Sequence, residues 1–145
     1  MSQKNSYTIL EKENLIIEYF SGILTIESLI KFKQKLIRDS KFSVDYSYYV
    51  HFKNVTFDID VQEISKYITF SSKHLNPKSN RKVAIITNTP NQVVLTTLFK
   101  LQSKHALQKI EIFSTAQSAL NWLGLEASIF NKINFNKIDK KEQLN

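Results

Sequence analysis

The chain has 145 residues, no cysteine, two glycines and two prolines, and its 20 Lys and Arg against 13 Asp and Glu leave a formal charge of +7. That length fits one domain with a core of its own. The missing thiol excludes disulfides, a cysteine nucleophile and Cys-ligated zinc. Apolar runs are as short as residues 83–86, so no segment spans a bilayer.

Residues 7–11 (YTILE) and 15–20 (LIIEYF) are rich in strand formers, with Lys12, Glu13 and Asn14 as a polar turn between them. The pair predicts a hairpin, and Gly22 is expected to break its second strand. Thr25 supplies an N-cap, with Ser28 at the capping-box position. Over residues 26–38, apolar side chains at 26, 29, 30, 36 and 37 fall at helical spacing, and Lys31, Gln34, Lys35 and Arg38 take the other side. Residues 39–45 predict a polar loop anchored by Phe42. Residues 47–53 (SYYVHFK) predict the third strand, ended by Asn54. Asp58 and Asp60 then offer two caps for a helix carrying Val61, Ile64, Ile68 and Leu75 at helical spacing. Asn76-Pro77 stops it, because the residue before proline avoids the α region.

Residues 82–88 (KVAIITN) have the near-continuous apolar centre of a strand covered on both faces. Thr89-Pro90 opens a third helix, with Val94, Leu98, Leu101 and His105 along one side and Leu95 and Phe99 beside them. Residues 109–113 (KIEIF) alternate as a last strand. Ser114 or Thr115 caps a last helix striped by Ala116, Ala119, Leu120 and Leu123, and Gly124 ends it. The order is ββαβαβαβα. Parallel strands need long crossovers, which the helices supply. The expected fold is therefore α/β, a mixed sheet of about five strands with helices packed on it. Residues 1–124 are expected to form the domain. Residues 125–145 are a C-terminal extension, rich in Asn and Lys, with Ile129, Phe130, Ile133, Phe135 and Ile138 spaced through it. Its first part is expected to dock and its end to be disordered.

Only Arg38 and Arg81 are arginines, and the lysines are scattered apart from a loose group at Lys137, Lys140 and Lys141. Arginine forks are what read phosphates and guanine edges. The charge therefore fits solvated faces, and nucleic acid is not expected as a partner. An anionic membrane surface ranks behind the readings below. His51, His74 and His105 show no HxH, HxxxH or HExxH spacing, so no metal or cofactor is expected. His51, on a strand, is a candidate general base against the plainer reading of a partly buried strand residue. The carboxylate pairs Asp58/Asp60 and Glu11/Glu13 are explained by caps and turns, and neither sits in the apolar setting an acid–base pair needs. GxSxG, P-loop and GxGxxG patterns are all absent. Tyr46, Tyr48 and Tyr49 cluster with Phe52 and Phe57 in a chain with ten Phe and six Tyr. Such rings stabilise a sheet by cross-strand packing, and the same rings would line an apolar pocket or an interface.

Four segments carry a family likeness: residues 19–29 (YFSGILTIESL), 49–60 (YVHFKNVTFDID), 81–88 (RKVAIITN) and 110–124 (IEIFSTAQSALNWLG). Over residues 7–124 the chain resembles the STAS-like superfamily, the fold of bacterial anti-sigma-factor antagonists. Within it the chain looks closest to an uncharacterised bacterial branch that is also similar to the CRAL-TRIO lipid-transfer fold. The resemblance implies a phosphorylated Ser or Thr at the start of the second helix. The corresponding stretch here, residues 57–63 (FDIDVQE), has no hydroxyl, and the position falls on Ile59, Asp60 or Val61. Thr56 is the nearest substitute acceptor, and a phosphate there would be crowded by Asp58 and Asp60. Where the branch often ends its third strand with an acidic residue, this chain has His51.

The resemblance thus implies a non-enzymatic, cytoplasmic interaction or regulatory module without a Ser/Thr phospho-switch. Its partner would be another protein or a second copy. The polar start of the chain, with no signal-peptide pattern, and the absence of cysteine agree with that location. The alternative is a small-molecule or lipid-binding domain with an apolar, aromatic-lined pocket. The candidate binding residues are Tyr48, Tyr49, His51, Thr56, Asp58 and Asp60.

Overall fold

The computed structural model describes residues 4–103 and 107–132. His105 and everything expected of residues 133–145 lie outside the described residues, as does the side chain of Phe130. Strands β1 (Lys4–Leu10) and β2 (Leu15–Thr25) form the hairpin, closed by a single 3-10 turn at Glu11–Glu13. Asn14 leaves that turn at φ 53°, a left-handed conformation that asparagine tolerates. Helix α1 (Ile26–Ile37) leads to β3 (Ser47–Asp58), α2 (Val61–His74) to β4 (Arg81–Ile86), and α3 (Pro90–Gln102) to β5 (Gln108–Phe113). The sheet order is β1-β2-β3-β4-β5, with β1 antiparallel and the other pairs parallel. Because every parallel crossover steps to the next strand with the same hand, α1, α2 and α3 stack on one face. Helix α4 (Ala116–Leu123) and the 3-10 segment Ala127–Lys132 cover the other.

The caps are built as short polar circuits. Thr25 Oγ1 accepts from Ser28 N–H at 3.2 Å, and Ser28 Oγ accepts from Thr25 N–H at 3.1 Å, so Ser28 completes the box without a Glu. Thr89 caps α3 through Gln92 N–H, and Thr115, not Ser114, caps α4 through Ser118 N–H, each at 3.2 Å. Gly124 ends α4 at φ 75°.

Three local expectations are corrected. First, Gly22 does not break β2, which passes through it at φ 80° and reaches Thr25. Second, β3 does not end at Asn54 but runs to Asp58. Tyr19 pairs with His51 but Ser21 with Asn54, so Phe20 faces two residues of β3, Phe52 and Lys53. This bulge resets the alternation. Phe52 and Val55, three apart, therefore both join the core under the helices. Asp58 is consequently the end of a strand and not a helix cap. Asp60 alone holds the N-cap position of α2, where its N–H donates to Glu63 Oε1 at 2.9 Å.

Third, the inward side of α3 is not the apolar one expected. Val94 and Leu101 are 55% and 58% exposed, while Gln92 and Thr96 are buried. The reason lies in β3, which pairs with β4 only from Tyr48 to His51 and projects beyond it. The unpaired carbonyls of Lys53 and Val55 accept from Gln92 Nε2 at 3.1 and 2.9 Å. Gln92 Oε1 in turn accepts from Asn88 and Thr89 N–H at 2.8 and 3.2 Å. A buried backbone acceptor needs a donor, and one amide side chain serves both strand and helix. In α2, likewise, Val61 is exposed and Tyr67, one turn beyond Ile64, is buried.

Two apolar layers result. Under α1–α3 lie Ile16, Phe20, Leu24, Phe32, Leu36, Tyr48, Val50, Phe52, Val83 and Ile85. On the opposite face Leu15, Ile17, Tyr49, Ala84 and Ile86 meet Ala119, Leu120 and Ile129. Leu125 N–H donates to Leu120 O at 2.9 Å, which turns the chain after α4 back onto the sheet and seats Ile129 there.

Candidate functional site

A cavity of about 100 Å³ lies between the sheet and helices α1, α2 and α3. Leu29, Phe52, Phe57, Ile59, Ile64 and Phe99 supply apolar walls, and charged and phenolic groups gather at the sheet: Glu18, Lys33, Tyr48, Tyr67 and Arg81. Strand alternation places them. Glu18 shares its face of β2 with Ile16 and Phe20, and its in-register neighbour on β3 is Val50, two residues from Tyr48. Helix α1 returns over β2 and drops Lys33, next to buried Phe32, onto the carboxylate.

Glu18 is 1% and Lys33 6% exposed, and Lys33 Nζ donates to Glu18 Oε2. The ammonium also lies 4.4 Å from the centroid of the Tyr48 ring, a cation–π distance. Burial pushes the Glu18 carboxyl up and the Lys33 ammonium down, and their mutual contact opposes both shifts. The pair is neutral overall whichever partner holds the proton.

Arg81 opens β4 and is 4% exposed. Its Nη1 donates to the carbonyls of Val44 and Leu75 at 2.8 and 2.7 Å, and its Nε donates to Gln108 Oε1 at 2.8 Å. Its guanidinium carbon is 5.5 Å from the Tyr48 centroid, so Tyr48 lies within cation–π reach of both Lys33 and Arg81. Burial raises the Tyr48 hydroxyl's pKa far above the usual phenol range, with Glu18 adding to the shift, and burial does the same to Tyr67. Both phenols are held protonated, as donors. The Tyr48 hydroxyl is buried and has no hydrogen-bond partner among the described residues.

The residues singled out from sequence do not converge. Tyr48 reaches the cavity. Tyr49 and His51 are also buried, but Tyr49 packs into the layer under α4 and His51 sets its ring 5.1 Å from that of Tyr19. Thr56 and Asp58 are exposed on the outer part of β3, and Asp60 is exposed at the α2 cap. Of the three positions that match the phosphorylated site of the antagonists, Ile59 lines the cavity, Asp60 is the cap and Val61 is the first, exposed residue of α2. Among the described residues no three His, Asp or Glu side chains form a metal-binding group. No described helix is long and apolar enough to cross a membrane.

Glu18, Lys33, Tyr67 and Arg81 were not among the candidates. A signal for Glu18 exists: it is the one charge inside the apolar run LIIEYF. Lys33 is flanked by Phe32 and followed by Leu36 three residues on, which marks its side of α1 as inward.

No family model matches the sequence, and no curated protein matches it. Among solved structures the fold is similar to that of an uncharacterized DUF3478-family protein with a SpoIIAA-like fold from Shewanella loihica PV-4. The match has a TM-score of 0.57 at 15% identity and covers 85% of this chain and 96% of that one. At that identity the likeness shows the fold alone: a five-stranded α/β domain with the same overall fold as that SpoIIAA-like structure.

Proposed function

We propose that this domain is a non-enzymatic module that binds a small molecule with an apolar body in the cavity beneath α1–α3. The observation that carries the reading is the Tyr48 hydroxyl, buried without a partner among the described residues, at the polar end of a space whose other walls are largely aliphatic and aromatic. Small-molecule sites combine apolar walls with a few convergent polar groups, and a buried donor left unpaired costs ~1–3 kcal/mol unless something satisfies it. Size sets the occupant. An apolar cavity of ~150 Å³ holds benzene, so one of about 100 Å³ suits a ligand of similar or smaller bulk and not an extended lipid chain. The test is a methyl-detected NMR titration with benzene and short-chain ketones. Shifts at Ile64 and Ile85 that saturate, and that disappear in a folded Ile64→Phe variant, support the reading. Shifts that persist with the cavity filled, or that never saturate, sink it.

A second reading, a regulatory module that binds a protein or a second copy of itself, is favoured by the outward side of α3. Val94 and Leu101 stand two turns apart on one face and are more than half exposed. Under this reading sedimentation velocity detects a concentration-dependent dimer, and Val94→Lys with Leu101→Lys abolishes it.

A further inference from the structure

We infer that the ligand of this cavity is a small monoanionic acid, received by the Tyr48 hydroxyl and the excess positive charge of Arg81. The inference rests on the cavity-binding reading above and adds the charge and the donor pattern of the ligand.

Charge balance is the first ground. The charged residues lining the cavity are Glu18, Lys33 and Arg81, two cations and one carboxylate. Glu18 and Lys33 neutralise each other wherever their proton resides. Arg81 is left with acceptors that are all neutral: two backbone carbonyls and the amide oxygen of Gln108. Asp45 and Glu18 also act on it electrostatically, but Asp45 lies outside the cavity lining, where its carboxylate accepts from Lys78 and Ser79 N–H at 2.7 and 2.9 Å. A buried cation is costly unless an anion pairs with it. The cavity therefore carries a net charge of +1 that one anion would cancel.

Hydrogen bonding is the second ground. Tyr48 is 4% exposed, and its hydroxyl lacks a partner among the described residues. Glu18 is not that partner: its Oε2 accepts from Lys33, and no bond joins it to the Tyr48 hydroxyl. The hydroxyl is a protonated donor that needs an acceptor. A water molecule would satisfy the donor but not the charge. An alcohol or ketone would do the same. An ammonium group would add to the positive charge and offer no acceptor. A carboxylate satisfies both requirements, and charge-assisted bonds are about twice as strong as neutral ones. With two oxygens in the head group, the cavity volume leaves room for an apolar body of about four carbons.

Three probes of nearly equal shape separate the possibilities: butyrate, 2-pentanone and butylammonium, each titrated into the full-length protein and followed by methyl NMR and calorimetry. Butyrate should bind at least tenfold more tightly than 2-pentanone, and butylammonium should be the weakest. Tyr48→Phe removes only the hydroxyl and should weaken both acceptors, butyrate more than 2-pentanone because the bond it loses is charge-assisted, so the preference should shrink. Glu18→Gln removes the competing carboxylate and should tighten butyrate. If 2-pentanone binds as tightly as butyrate, or butylammonium binds best, the acid inference is overturned and the apolar-cavity reading stands. If Tyr48→Phe leaves the preference intact, the hydroxyl assignment is overturned. If none of the three gives a saturable response at the cavity methyls, both the inference and the cavity reading fail.

Discussion

Replacing Lys33 by Met keeps an unbranched stem of similar length and removes only the ammonium, so it isolates what the charge does. Glu18 is left 1% exposed with its partner gone. Stranding a buried charge costs ~3–5 kcal/mol, but the carboxyl has a second course, which is to take up a proton. From an ordinary value of 4.5 to pH 7 is two and a half pH units, which at ~1.36 kcal/mol per unit is about 3.4 kcal/mol. Protonation therefore sets the upper limit at neutral pH. At pH 5 the same limit is below ~1 kcal/mol. The direction of linkage follows. In Lys33→Met the folded-state pKa of Glu18 is raised above its unfolded value. Its contribution is fully present below the unfolded value and is lost as pH rises through the folded one. The stability gap between wild type and Lys33→Met should thus narrow by about 2.5 kcal/mol between pH 7 and pH 5. Urea denaturation at the two pH values measures it. The double variant Glu18→Met with Lys33→Met should recover most of the loss at pH 7, because apolar replacement of a whole buried pair is often neutral or stabilising. A gap that does not change with pH, together with a double variant as unstable as the single one, would show that Lys33 acts by packing and refute the stranded-charge argument.

Gln92→Ala removes the donor of the Lys53 and Val55 carbonyls and the acceptor of two N–H groups; a loss of ~2–3 kcal/mol is expected, with hydrogen exchange accelerating first at the outer part of β3. Asp45→Asn should weaken resistance to acid: the Lys78 N–H, with Ser79, holds the Asp45 carboxyl below its usual range. The wild-type advantage in urea midpoint is then present above about pH 4 and lost as pH falls through the folded value. A constant advantage down to pH 2 would contradict this. Truncation after Gly124 removes Ile129 from its place in the layer with Leu15 and Leu120; the shortened chain should fold with a loss of ~1.5–3 kcal/mol, and failure to fold would show that the extension belongs to the obligatory core.

The element order was legible because the periodicities are clean. The strand KVAIITN is apolar on both faces and is buried on both, and the Thr25, Thr89 and Thr115 caps sit where short hydroxyl side chains precede helical spacing. The failures have two causes, a bulge that resets the alternation of β3 and polar residues recruited to the inward side of α3. Lys53 and Asn54 break the alternation of β3, which from sequence looks like the end of a strand. They in fact mark a bulge, after which Val55 and Phe57 resume the inward side. Gln92 and Thr96 look solvated on a helical wheel because nothing local announces that β3 projects and leaves two carbonyls without a strand partner. These are needs of the tertiary arrangement, and a single element does not encode them.

The same reasoning explains why the site was half legible. Tyr48 could be found because a ring on a strand advertises burial. Its charged neighbours could not, because Lys33 is one of many lysines and Arg81 begins a strand as an ordinary edge residue would. The separations that matter are between elements, with Glu18 and Lys33 fifteen residues apart and brought together by a helix that folds back over its own strand. A charge inside an apolar strand is therefore the most useful single flag in this chain. Burying Glu18 is disfavoured unless a cation arrives from the element above, and the first helix after the strand is the nearest source. Such a pair adds little net stability. On the reading proposed above, what matters is what the pair leaves over: an arginine whose hydrogen-bond acceptors are all neutral and a phenol without an acceptor, both lining the cavity.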